Sequence, residues 1–109
     1  MNERLSAELE VAGLIRRAQS MGGFGAVIRR GDPDRGELLV QVAERGESLA
    51  MLERRLTADF TYRWTRTGAE AENLRKFVAD RERIDPDFWL IELDIADAER
   101  FVAEMTAMG

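Results

Sequence analysis

Apolar residues at Leu9, Val11, Ala12, Leu14, Ile15 and Ala18 recur at helical spacing and predict a helix over residues 8–21 with one broad buried face. Gly22-Gly23 stops it. Upstream, Leu5, Ala7, Leu9 and Val11 also alternate with Ser6, Glu8 and Glu10, so the pattern leaves residues 1–7 open between helix and strand. Residues 24–30 (Phe-Gly-Ala-Val-Ile-Arg-Arg) read as a strand. The following Gly31-Asp32-Pro33-Asp34-Arg35-Gly36 reads as a hairpin turn: Pro33 suits the second position of a type I turn, Asp32 supplies a side-chain acceptor, and Gly36 is free to take a positive φ. Residues 37–43 are then the partner strand, and Arg45-Gly46 is a second tight turn. Residues 48–56 form a third extended run and residues 60–66 a fourth, with Phe60, Tyr62 and Trp64 on one face and Thr61, Arg63 and Thr65 on the other. The sum so far is an antiparallel meander.

Thr67 and Glu70 have capping-box spacing, and Ala71, Leu74, Phe77 and Val78 give the next helix a single apolar stripe. Pro86 ends it, because the residue before a proline avoids the α region. Residues 88–93 (Phe-Trp-Leu-Ile-Glu-Leu) are the strongest strand, short and mostly apolar, with Trp89 a core residue by default. Asp94 or Asp97 can cap a last helix whose Ala98, Phe101, Val102 and Met105 share a face. The expected architecture is α+β: a four- to five-stranded, mostly antiparallel sheet (a meander) with two to three helices packed on one side. Residues 1–109 make a single domain with no repeat and no low-complexity segment.

Composition narrows the chemistry. A chain of 109 residues buries roughly 65% of its unfolded surface, enough for a core without metal or disulfide staples. There is no Cys and no His, which removes disulfides, thiol chemistry, Ser-His triads and zinc sites built on imidazole or thiolate. Proton transfer near neutral pH would fall to a carboxyl of raised pKa or to the single lysine, Lys76, so catalysis is not expected. No window is long and apolar enough for a membrane span, and acids stand where a signal peptide would be cationic. The expectation is a cytoplasmic protein with no membrane partner and no cofactor. The net charge of −5 argues against nucleic acid, although residues 1–68 carry +1 and residues 69–109 carry −6.

Two sets of side chains remain as candidates. If Arg16, Arg17, Arg29, Arg30 and Arg63 converged beside Tyr62 or Trp64, they would bind phosphate or carboxylate, with aromatic stacking available. The plain alternative is solvated arginines paired with acids at little net energy. Asp85, Asp87, Glu92 and Asp94 form an acidic set on either side of a strand, of which Glu92 and Asp94 share a face and could hold Mg²⁺ or Ca²⁺ with waters. Here the plain alternative is an Asp before Pro that shapes a turn, and no metal is expected. Neither glycine-rich stretch has the order of a phosphate cradle: residues 31–36 lead into a strand, and residues 22–25 follow a helix.

With these segments laid out, the chain resembles a bacterial family known as domain of unknown function 1491. The resemblance is carried by residues 10–17, by Ala26-Val27-Ile28-Arg29-Arg30-Gly31-Asp32-Pro33-Asp34 through Gly36, by residues 64–68, and by Asp85-Pro86-Asp87-Phe88-Trp89-Leu90-Ile91-Glu92. It spans most of residues 4–94, and residues 95–109 read as a helix appended to the family-like region. It implies a cytoplasmic bacterial protein and brings no activity, ligand or catalytic residues with it. Three functions follow in order: a small non-catalytic protein-interaction domain, with a homodimer as one form; an anion- or nucleic-acid-binding module on the arginines; and a carboxylate- or metal-dependent enzyme.

Overall fold

The computed structural model describes residues 6–67 and 71–107, with side chains at all of these except 55, 56 and 71–74. The elements run α1 (Ala7–Ser20), β1 (Phe24–Arg29), β2 (Leu38–Glu44), β3 (Glu47–Leu56), β4 (Tyr62–Thr67), α2 (Ala71–Ile84), β5 (Trp89–Asp94) and α3 (Ala98–Ala107). The fold is α+β, as the pattern predicts. Residues 1–5 and the expected capping box at Gly68 to Glu70 lie outside the described residues.

The helix termini show why the elements begin where they do. Ser6 caps α1, its hydroxyl accepting from the Leu9 N–H at 3.4 Å. The Ala7 and Glu8 N–H groups donate to the carbonyls of Asp34 and Pro33 at 3.2 and 2.9 Å, so the far turn satisfies donors that no helix can pair internally. Gly22, with φ of 83°, ends α1. At α3, Asp97 stands at the cap position, its carbonyl accepting the Phe101 N–H at 3.1 Å, and the capping side chain comes from another element: the Ala98 N–H donates to the Glu44 carboxylate at 3.2 Å.

The sheet order is β1-β5-β2-β3-β4. Strands β2, β3 and β4 form the expected meander, but β1 and β2 are not partners. β5 lies between them, antiparallel to β1 and parallel to β2. Residues 31–36 are therefore a crossing over the start of β5 and not a hairpin turn. The physical reason is burial: β2 and β5 are apolar along nearly their whole length, which demands cover on both faces and so a central place.

Both faces are indeed covered, which corrects the one-sided expectation. One face carries Leu38, Val40, Val42, Leu52, Trp89, Ile91 and Leu93, packed under α1 and under Phe101, Val102 and Met105 of α3. The other carries Leu39, Met51, Phe88 and Leu90, packed under Phe77 and Val78 of α2. Each fully buried aliphatic or aromatic side chain stabilises the fold by roughly 1.5–3 kcal/mol.

Two charged neighbours on β3 join the sheet to both layers. Glu53 and Arg54 point to opposite faces and are 4% and 7% exposed. Glu53 pairs with Arg81 of α2, and Arg54 pairs with Glu10 of α1 while lying over the rings of Tyr62 and Trp64 at 5.2 and 5.8 Å. Beyond Glu53, β3 has left β2 and pairs only with β4, so the hairpin projects as a two-stranded arm. Its tip departs from the strand reading: Phe60 sits at φ of 62° and is 83% exposed, and β4 begins at Tyr62.

Asp59 builds that tip. Its carboxylate accepts from the hydroxyls of Thr57 and Thr61, which hold its pKa down from the ordinary 3.8 to about 2. Because the folded state binds this proton less tightly, the contribution to stability is complete above about pH 4 and is lost as the pH falls toward about 2. Asp59→Asn is expected to flatten that part of the acid limb, read by denaturant unfolding at a series of pH values. For the buried pair, Glu53→Ala strands the Arg81 guanidinium and is expected to cost about 3–5 kcal/mol. By contrast, Asp80→Asn on the exposed Lys76 and Arg83 pairs is expected to leave the midpoint of the same denaturation assay nearly unchanged.

Candidate functional site

The two loop motifs singled out in the sequence meet in space. The Asp32 N–H donates to the Asp87 carbonyl at 2.9 Å, the Trp89 N–H to the Glu37 carbonyl at 2.7 Å, and the buried indole N–H of Trp89 to the Asp32 carbonyl at 2.7 Å. Asp32 accepts the N–H groups of Asp34 and Arg35, both at 2.8 Å, and these bonds hold its carboxyl below the usual range. Asp85 shapes its own turn, accepting the Asp87 N–H at 3.1 Å.

Two of the candidate arginines are built into this junction. Arg29 lies over the Phe88 ring at 4.3 Å and donates to the carbonyls of Phe88 and Pro86 at 2.6 and 2.7 Å, with Glu82 of α2 at 3.7 Å. Arg30 turns to the other face, over the Trp89 ring at 5.0 Å and onto Glu8 of α1 at 2.9 Å. The remaining three are elsewhere. Arg17 lies over Phe101 at 5.0 Å in a cleft of about 320 Å³ between α1 and α3, and Arg16 is exposed on α1. Arg63 stands on β4, at the opposite edge of the sheet from Arg29. The structure does not bring the five together, and the guanidinium over Tyr62 and Trp64 is that of Arg54.

The acidic set is likewise divided. Asp85 and Asp87 precede β5, whereas Asp94 closes it and accepts the N–H groups of Arg45 and Gly46 at 3.0 and 2.8 Å. Glu92 is half-buried between them. Among the described residues there is no group of three carboxylates placed to hold a metal ion. Among the same residues, no helix is long and apolar enough to cross a membrane.

What is left open is an edge. Among the described residues β1 ends the sheet, and no strand pairs with its outer side. On it Phe24, Val27 and Ile28 are 55%, 40% and 57% exposed, and a bulge falls between Val27 and Arg29. The other edge, β4, carries the exposed cations Arg63 and Arg66. Charged residues of that kind are a common guard against unwanted strand pairing, and β1 has turned its one cation inward. The local pattern left the identity of the edge strands open, because it does not place β5 within the sheet.

The glycines of the junction test its tightness. A Cβ on Gly36 would lie 2.6 Å from the Trp89 ring and 2.9 Å from the Asp32 carbonyl, whereas one on Gly13 of α1 would meet nothing within 4 Å. Gly36→Ala is expected to destabilise by about 1–3 kcal/mol and to shift the Trp89 fluorescence. Gly13→Ala should instead stabilise by about 0.5–1 kcal/mol, both changes read from thermal and denaturant unfolding.

Comparison with known proteins gives the same fold. A family model described as a protein of unknown function (DUF1491) matches residues 5–103. The crystal structure of a DUF1491 family protein from Caulobacter crescentus CB15 is 32% identical over 90% of this chain and 94% of its own, with a TM-score of 0.78. An NMR structure of a DUF1491 family protein from the same organism is 32% identical over 89% and 91%, with a TM-score of 0.76. A solution structure from A. tumefaciens, 24% identical over 87% and 89%, shares the fold at a TM-score of 0.72. None of the curated proteins matches. The family match runs beyond residue 94 into α3, whose Phe101 and Val102 belong to the core, so it takes in part of the helix that the sequence set apart as an addition. The chain belongs to the DUF1491 family.

Proposed function

We propose that this chain is a small non-catalytic protein-interaction domain of the cytoplasm that docks an extended segment of a protein along β1. The observation that carries the reading is the apolar edge: a terminal strand with three exposed apolar side chains, in a sheet whose other edge is charged. An added strand would complete the main-chain ladder and cover Phe24, Val27 and Ile28 together, with affinity from backbone hydrogen bonds and selectivity from alternate side chains. The distribution of the candidate groups supports the same view. Arg29 and Arg30 hold the junction together, and Asp94 holds the turn between β2 and β3, so these side chains act within the fold.

The test is site-specific photo-cross-linking in living cells with the chain at its native level. A photoreactive residue in place of Phe24 or Ile28 is expected to give discrete adducts whose cross-linked peptides contain β1. The same residue at Arg63, on the opposite edge, is expected to give none. Adducts only from position 63, or none from any position, would overturn the reading.

A further inference from the structure

Resting on that reading of β1, we infer that the segment docked there is the β1 strand of a second copy, paired antiparallel about a two-fold axis through Ala26. The argument is one of register. A two-fold axis perpendicular to the sheet pairs residues whose numbers differ by an even step, because neighbours on a strand face opposite sides. The regular part of β1 before the bulge is Phe24 to Val27, so the axis falls at Gly25 or Ala26.

Centring on Ala26 sets Gly25 opposite the partner's Val27, twice, and brings each Phe24 against Ile28 in the partner's bulge. The exposed apolar side chains of the edge then lie beside one another across the axis. Centring on Gly25 would leave Ile28 opposite Gly22, beyond the strand, and would place no side chain on the axis.

Charge agrees with the first register. Arg29 and Arg30 would run out opposite the partner's Gly23 and Gly22, which carry no side chains, so no two like charges meet across the axis. Arg29 is already engaged by the carbonyls of Phe88 and Pro86, and the strand from Phe24 to Ile28 is uncharged. A chain with net charge −5 can thus pair with itself along this strip without bringing acids together. The result is a continuous ten-stranded sheet in which β4 forms both outer edges.

The absence of cysteine makes the test clean. Residues directly opposite in an antiparallel pair have Cα atoms about 4.5–5.5 Å apart, within disulfide reach. Ala26→Cys alone is expected to form a disulfide-linked dimer on mild oxidation. Phe24→Cys and Ile28→Cys are expected to cross-link when mixed and not when oxidised singly. Sedimentation of the unmodified chain should give twice 12.4 kDa. Ile28→Lys should weaken the dimer at least tenfold while leaving the unfolding transition of the monomer in place, since Ile28 is exposed.

A chain that sediments as a monomer throughout its soluble range would overturn the inference. So would a dimer in which Ala26→Cys fails to cross-link. A monomer whose β1 photo-adducts contain another protein would overturn the second copy and leave the docking edge standing. No adduct at all would remove both.

Discussion

The crossing of residues 31–36 over the start of β5 is the constraint on which the rest of the structure depends. Once β5 lies between β1 and β2, the chain leaving β1 must pass across β5 before it can begin β2. Two backbones then run in contact, and side chains at the contact would hold them apart. Gly31 and Gly36 remove those side chains, and the Asp32 and Trp89 hydrogen bonds use the polar groups that the contact buries. The same turn presents the carbonyls of Pro33 and Asp34 to the first N–H groups of α1, so the position of the first helix follows from the crossing as well. The two segments that carry the family resemblance are thus the two sides of one contact. Their residue types answer to packing.

A second constraint acts at the other end of the sheet. Glu53 and Arg54 bury adjacent opposite charges in a strand, which costs desolvation that their pairing partners offset only while both layers are in place. Sliding α2 along the sheet would separate Arg81 from Glu53, and sliding α1 would separate Glu10 from Arg54. The apolar contacts of Phe77 and Val78 under α2 are non-directional, and the ion pairs add contacts that depend on where each helix lies along the sheet.

Most elements were legible because their patterns are local. The stripe of α3, the glycine stop at residues 22–23 and the proline stop at Pro86 appear in the structure where the sequence places them, whereas of the α1 stripe Val11, Leu14, Ile15 and Ala18 pack on the sheet and Leu9 and Ala12 are exposed. The topology was not legible, because Gly-Asp-Pro-Asp-Arg-Gly makes a tight turn whether it joins two neighbours or crosses a third strand. The usable signal lay elsewhere. Leu38 to Val42 and Phe88 to Leu93 are nearly continuous apolar runs, the mark of strands covered on both faces, and they pointed to β2 and β5 as the centre. The candidate sites failed to assemble for the same reason of distance. Arg29 and Arg30 are sequence neighbours on opposite faces, Arg63 lies across the whole sheet, and Asp85 and Asp94 are separated by the length of β5.

The crossing also bears on the exposed edge. Sheet edges are usually guarded by a charged side chain directed outward, and β1 ends in the one residue suited to that task, Arg29. The junction draws its guanidinium inward, where it stacks on Phe88 and binds two carbonyls that the turn before β5 would otherwise leave to solvent. The contacts that hold the crossing together therefore remove the charge that would keep β1 from pairing. An edge left apolar in this way is open to a strand of matching shape. Stability at the junction and reactivity at the edge are in this sense one property of Arg29.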